Sequence, residues 1–324
     1  MNVGIIGSGF GARVVAPVFA ETDGCTVTAV VSARDHDGVQ ALVARPDVDL
    51  VCVHSPPFLH ARDVRLAIAA GKAVLCDKPF ALNATEAAAL FDEAQRAGVV
   101  HLVNFEFRRE PARIAIAAAL RAGAIGSPEH VSWSHISSGS RVPLRPYGWL
   151  FDAARGGGWI GAWASHAVDM LRFLFGEVDE VNNASRRIDV IERPDAQGVM
   201  RTCTAEDALS ATLTVGGDVS VAIDSGFAST VTFAPRFTVF GSDGAIECAG
   251  NERVTLRRPD GSREERFAVT PDPGADHHHT AMRNWVIDVR DAVESGAASK
   301  GMPTFADGHA CDLVLDQLRA APII

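Results

Sequence analysis

Apolar and polar positions in the first third of the chain alternate between short β-rich runs and longer helical patterns. Asn2 to Ile6, Thr26 to Val31, Leu50 to Val53, Ala73 to Cys76 and Val99 to Val103 read as strands. Phe10 to Ala20, His60 to Ala70 and Ala84 to Ala97 read as helices between them, the last ended by Gly98. Strands that alternate with helices predict a parallel, doubly wound sheet. Pro17 inside the first helix predicts a kink or a shortening there.

The texture changes after Gly126-Ser127-Pro128. Val131 to Ile136, Leu209 to Val215, Val219 to Ile223, Phe237 to Phe240 and Val254 to Leu256 read as strands, several with period-two alternation. Turns at Gly216-Gly217-Asp218, Ser242-Asp243-Gly244 and Pro259-Asp260-Gly261-Ser262 join them closely, which predicts a largely antiparallel sheet. Helices are expected over Ser165 to Phe175, stopped by Gly176, over Ala281 to Ser295 and over Phe305 to Ala320. The expected architecture is α/β: a Rossmann domain over 1–122, then an α+β domain over 123–324 with an open, largely antiparallel sheet. Asn182 to Ala205 shows little pattern and is expected to be a mobile loop.

The length, 324 residues, suits two domains, and 47% apolar with 22% charged residues is an ordinary globular balance. A net charge of -10 repels nucleic acid and anionic membrane, so neither is expected as a partner. No apolar run reaches the roughly 18 residues of a membrane span. The start, MNVGIIGSGFG, lacks a basic n-region and reads as structure rather than as a signal peptide. Six scattered cysteines form no CxxC pair and no metal-ligand spacing, which fits a reducing cytoplasm and predicts no metal site.

Gly7-Ser8-Gly9-Phe10-Gly11-Ala12 follows a strand and opens a helix, as a dinucleotide fingerprint requires. Gly7 allows the tight turn, Gly9 lets the backbone approach a pyrophosphate, and Ala12 lets helix and strand pack closely. The second strand ends in Val31-Ser32-Ala33-Arg34. Where an acid would hold the ribose 2′-hydroxyl of NAD, Ser32 and Arg34 suit a 2′-phosphate, so NADP is preferred and NAD remains open through Asp35 or Asp37.

Three further stretches make the chain resemble the family of glucose–fructose oxidoreductase, inositol dehydrogenase and related Rossmann oxidoreductases. They are Val51-Cys52-Val53-His54-Ser55-Pro56-Pro57-Phe58-Leu59-His60, then Ala70-Gly71-Lys72-Ala73-Val74-Leu75-Cys76-Asp77-Lys78-Pro79, then Gly156-Gly157-Gly158 with Ser165-His166 and Asp169. The resemblance implies cofactor contacts at Ser55, Pro56, His60, Asp77 and Lys78, and a homodimer or homotetramer formed through the outer face of the second sheet. Asp77-Lys78-Pro79 is similar to the family's Glu-Lys-Pro with a shorter acid. A cationic amine beside a carbinol oxygen stabilises developing alkoxide. His166 sits at the family's acid/base position, in a first helical turn that favours neutral imidazole. The chain has three lysines, Lys72, Lys78 and Lys300, so a Lys at that place is a less common accident. One departure stands out: Ala162 occupies the position four before His166 where the family has Asp.

Arg108, Trp149, Trp163 and Asp169 are the candidate substrate contacts, with Tyr147 and Trp159 as further aromatic wall. Arg108 is equally suited to pairing with Glu106. His277-His278-His279 reads as a solvated loop entering a helix, and His135 as strand-edge chemistry. The expected activity is hydride transfer to or from a sugar, inositol or related polyhydroxylated alcohol or carbonyl. A non-catalytic dinucleotide-binding sensor, and a redox-neutral lyase or glycosidase using bound cofactor, stay open as alternatives.

Overall fold

The computed structural model describes residues 1–270 and 278–324. The chain divides into two compact units, Met1–Arg109 with Ala275–Leu313, and Glu110–Gly274 with Val314–Ile324. The sequence pattern puts one crossing near 122–123, whereas these units divide at Arg109 and the chain later returns to the first.

The first unit carries strands β1 (Asn2–Ile6), β2 (Thr26–Val31), β3 (Leu50–Val53), β4 (Ala73–Cys76) and β5 (His101–Val103). They form a five-stranded parallel sheet in the order β2-β1-β3-β4-β5. Every residue of β3 is buried, the expected burial of a strand covered on both faces. Helices α1 (Ala16–Glu21), α2 (His36–Val43), α3 (Pro57–Ala69) and α4 (Ala84–Ala97) connect the strands. Pro17 acts as predicted on the first helix. It stands where a wide π-type coil over Gly11–Val15 passes directly into α1, and its missing N–H removes one backbone donor at that junction.

The return of the chain has a simple cause. Met282, Trp285, Val286 and Val289 make one apolar face of α7 (His279–Ser295), and they join Val3, Ile5, Phe19, Leu50 and Leu75 in a single buried cluster. A face of that width buries more apolar surface against the parallel sheet than it would exposed. Helix α8 (Phe305–Ala320) begins in this unit and ends in the second.

The second unit opens with α5 (Pro111–Arg121) and β6 (Pro128–Ile136). After α6 (Ser165–Phe175) come β7 (Val178–Arg187), β8 (Glu192–Pro194), β9 (Met200–Thr202), β10 (Ala208–Val215), β11 (Val219–Gly226), β12 (Arg236–Gly241), β13 (Gly244–Ala249), β14 (Arg253–Arg257) and β15 (Arg263–Ala268). Eight of these strands build a sheet in the order β15-β14-β13-β12-β6-β11-β10-β7, antiparallel except where β6 meets β11. Val131, Trp133, Leu213, Val221, Ile223, Val239 and Ile246 face the core, while Ser132, Ser134, Thr212, Ser220 and Asp224 are exposed.

Half of the segment expected to be a mobile loop is strand. Strand β7 runs through Asn182 to Arg187, and β8 and β9 pair antiparallel. The Asp195 carboxylate holds their turn by accepting N–H bonds from Gln197 and Val199 and pairing with Arg201. As a sheet edge with much of its length exposed, β7 has no need of a side-chain period, which is why the pattern missed it. His135 likewise lies within the sheet, not at an edge, and packs against Trp159 and Trp163.

Candidate active site

The glycine loop leaves β1 at Gly7, whose N–H donates to the Val31 carbonyl at 2.8 Å. Its φ is +146°, and a Cβ there would lie 2.4 Å from the His54 carbonyl oxygen. Gly9 differs: a Cβ added to it meets nothing within 4 Å. That open backbone stands just before the helical coil that starts at Gly11, where unpaired N–H groups favour an anion. Gly11 packs on Ile5 and the His54 side chain, and Ala12 follows it into the coil. Phe10 lays its ring edge-on to His54 at 5.8 Å and to His278 at 5.0 Å. The loop therefore suits the pyrophosphate of a dinucleotide.

At the tip of β2, the Ser32 hydroxyl accepts the Arg34 N–H at 3.3 Å and the Arg34 side chain is exposed. Asp35 is committed to structure, since its carboxylate caps α2 by accepting the Gly38 N–H at 2.9 Å. Asp37 lies in the first turn of that helix.

The next three strands end around Lys78. Ser55 and Pro56 turn from β3 into α3, and the Ser55 hydroxyl donates to buried Asp63 at 3.1 Å. His60 is fully buried, with one ring nitrogen 2.7 Å from the Ser55 carbonyl and the other 3.1 Å from that of Pro79. The ring thus lies between the β3–α3 turn and the Lys78-Pro79 turn, whose X-Pro bond is cis, and burial lowers its pKa. Asp77 accepts the Lys78 N–H at 3.0 Å and an Asn104 amide N–H at 3.3 Å, and its other oxygen is 3.4 Å from His54 Nδ1. Burial alone would raise its pKa; the His54 hydrogen bond and charge, with Lys78 nearby, outweigh burial and hold the carboxyl well below the usual carboxylate range. Lys78 itself is half-buried.

Arg108 is buried and bonds Asp307 at 2.8 Å and the Gly301 carbonyl at 3.2 Å. These bonds join it to α8 and to the segment before that helix, so this guanidinium braces the first unit. Glu106 instead meets His278, 2.6 Å from its Nδ1. His278 also stacks on Phe107, so it is not the solvated residue expected, and His277 lies outside the described residues. Among the described residues no group of three His, Cys, Asp or Glu could hold a metal.

In the second unit, His166 and Asp169 occupy the first turns of α6 and are 5% and 2% exposed. The helix is entered through a wide coil over Ile160–Ala164 that carries Ala162. Glu206 secures that entry: its carboxylate accepts the Ile160 N–H at 3.0 Å, and its carbonyl accepts that of Trp159 at 2.9 Å. A Cβ on Gly158 would fall 2.1 Å from a Glu206 carboxylate oxygen, which explains that member of the glycine triplet. Trp163 is buried against Trp133 and His135, and Trp159 donates to the Ser225 hydroxyl at 2.8 Å. Trp149 and Tyr147 stay partly exposed. Glu206 and Asp63 escaped the sequence reading. Asp63 alone left a signal, an acid three residues after His60 on one helix face.

Residues 1–105 match the family model described as an oxidoreductase family with an NAD-binding Rossmann fold, and residues 114–247 match the GFO/IDH/MocA C-terminal domain. An uncharacterized oxidoreductase of Synechocystis is 32% identical over 241 residues, 69% of this chain and 65% of its own length. Levoglucosan dehydrogenase of Pseudarthrobacter phenanthrenivorans is 33% identical over 169 residues, 50% of this chain and 43% of its own. The chain thus spans less than two thirds of the length of these two curated relatives. Levoglucosan dehydrogenase solved in complex with NADH has the same fold, with a TM-score of 0.87 at 23% identity over 98% of this chain and 96% of that one. Two successive family models, placed on the parallel-sheet unit and on the open-sheet unit, make this chain a member of the GFO/IDH/MocA family of oxidoreductases with an NAD-binding Rossmann fold.

Proposed function

We propose that this chain is an NADP(H)-preferring oxidoreductase that interconverts a hydroxyl and a carbonyl on a sugar, an inositol or a related polyhydroxylated compound. The observation that carries the reading is the glycine loop, closed beneath Gly7 and open above Gly9, on a strand edge shared with Lys78. A relative named levoglucosan dehydrogenase supports the sugar class. The preference for a 2′-phosphate rests on Ser32 and Arg34, with Asp35 already spent as a helix cap. A bound nicotinamide supplies the hydride donor or acceptor. The Lys78 ammonium stabilises negative charge on the substrate oxygen. His166, in the first turn of α6, takes the hydroxyl proton in oxidation and returns it in reduction. Ala162 leaves His166 without the carboxylate that the resemblance places four residues before it. Ser55, Pro56 and Asp77 border the cofactor in this reading, and Trp149, Trp163 and Asp169 belong to the substrate side.

Six free cysteines fit a reducing cytoplasm. No helix among the described residues is long and apolar enough to cross a membrane. The outer face of the large sheet is proposed to join copies into a homodimer or homotetramer.

The test is a screen of polyol and ketose substrates with NADPH and NADH, followed by Lys78→Ala and His166→Ala on the best substrate. Each variant is expected to lose roughly 10²–10⁴-fold in kcat while still binding cofactor. Full turnover by both variants would overturn the assignment. Product formed without net change in NADPH would instead favour the redox-neutral reading.

A further inference from the structure

We propose that Arg62 is a second cation for the adenosine 2′-phosphate and that it sets, together with Arg34, the preference for NADP(H). This inference rests on the cofactor reading given above. Arg62 lies on α3, away from the strand tip where Ser32 and Arg34 sit. Its guanidinium nevertheless reaches that tip: Nη2 donates to the carbonyl of Ala33, the residue between them, at 2.8 Å. Nε donates to Asp63 at 2.7 Å, and the other side of that carboxylate accepts the Ser55 hydroxyl. Ser55, Asp63, Arg62 and the Ala33 carbonyl thus form one polar chain tying the β3–α3 turn to the β2–α2 turn.

Two features of this chain bear on anion binding. The guanidinium is fixed in place before any ligand arrives, so little conformational freedom is lost on binding. Its Nη1 has no partner among the described residues, and 28% of the side chain faces solvent, so donors remain available. Arg34 complements it as an exposed cation with no side-chain partner among the described residues. Ser32 adds a hydroxyl. A phosphate at the β2 tip would therefore meet one fixed guanidinium edge, one that can close over it, and a hydrogen-bond donor. Asp63 accounts for the fixed one: burial pushes its pKa up, Arg62 pulls it down, and the carboxylate in turn anchors the guanidinium.

The experiment measures binding of 2′,5′-ADP and of ADP by calorimetry, which needs neither substrate nor turnover. Wild type is compared with Arg62→Gln, Arg62→Lys and Arg34→Ala. A charge-assisted contact contributes enough for Arg62→Gln to weaken 2′,5′-ADP by roughly 10- to 100-fold, with ADP unchanged within about threefold. Arg62→Lys keeps the charge without the fork and should fall between. Equal loss for both ligands would mean that Arg62 only braces the two turns, and would overturn the inference. So would unchanged 2′,5′-ADP binding in Arg62→Gln when Arg34→Ala loses it. If wild type itself binds ADP as tightly as 2′,5′-ADP, the cofactor reading fails first and Arg62 fails with it.

Discussion

Gly7 and Gly9 stand two residues apart in one loop, yet replacing each with alanine should damage different properties. At Gly7 a methyl meets the His54 carbonyl oxygen at 2.4 Å and its carbon at 2.8 Å, both backbone atoms that cannot rotate away. The φ of +146° adds strain of about 1–3 kcal/mol for any residue with a Cβ. Forcing β1 and β3 apart adds about 1–3 kcal/mol of overpacking. Gly7→Ala is therefore expected to cost roughly 2–6 kcal/mol, or about 4–24 °C in the melting of the first unit. At Gly9 the methyl meets nothing within 4 Å, so the fold should be unchanged to within about 0.5 kcal/mol. The same methyl would occupy the space where a pyrophosphate approaches the backbone, and NADPH affinity should fall at least about tenfold. Scanning calorimetry without ligand, paired with nicotinamide fluorescence titration, reads both quantities on both variants. A Gly9→Ala protein that binds NADPH as tightly as wild type would refute the placement of the pyrophosphate. A Gly7→Ala protein with unchanged melting would refute the steric argument.

Trp285 is fully buried in the first unit's cluster, and Trp285→Ala should cost about 3–5 kcal/mol, seen as a lower melting temperature of that unit. An equally stable variant would show that α7 contributes little to that core. Burial raises the pKa of Glu206, so its contribution to stability is complete below the ordinary carboxylate value of about 4.3 and is lost as pH rises through the raised value. Glu206→Gln lacks this titration; its melting temperature relative to wild type should climb as pH rises above about 4, and a flat difference would contradict the burial argument. Asp77 titrates the other way: with its pKa lowered, its stabilisation is present above about pH 4 and fades as pH falls further. Asp77→Asn should therefore be less stable than wild type at neutral pH, with the gap narrowing in acid melting curves.

Much of the first unit was legible along the chain because its signals are local. Thr26–Val31, Leu50–Val53, Ala73–Cys76 and Ala84–Ala97 fall at the residues that the pattern predicts, since apolar runs, helical spacing and Gly98 each act within a few residues. The glycine loop is local in the same sense, and so is the family it points to. The sequence equally marked Lys78 and His166 as candidates, through neighbours next to them in the chain.

Tertiary structure decided what those residues touch. Asp35 and Asp37 look alike in sequence, but Asp35 alone has its carboxylate turned back on α2. Arg108 and Glu106 are near neighbours in sequence, and each has a partner more than 150 residues away, Asp307 and His278. The apolar face of α7 is buried in the core of the first unit, with Val3, Ile5, Phe19 and Leu50, although α7 follows the strands of the second unit in sequence. Glu206 holds the entry to α6 from a position with no local mark at all. A buried polar group must find a partner, but the partner is whichever one the packed chain brings within hydrogen-bond reach, and periodicity along a sequence carries no record of that distance.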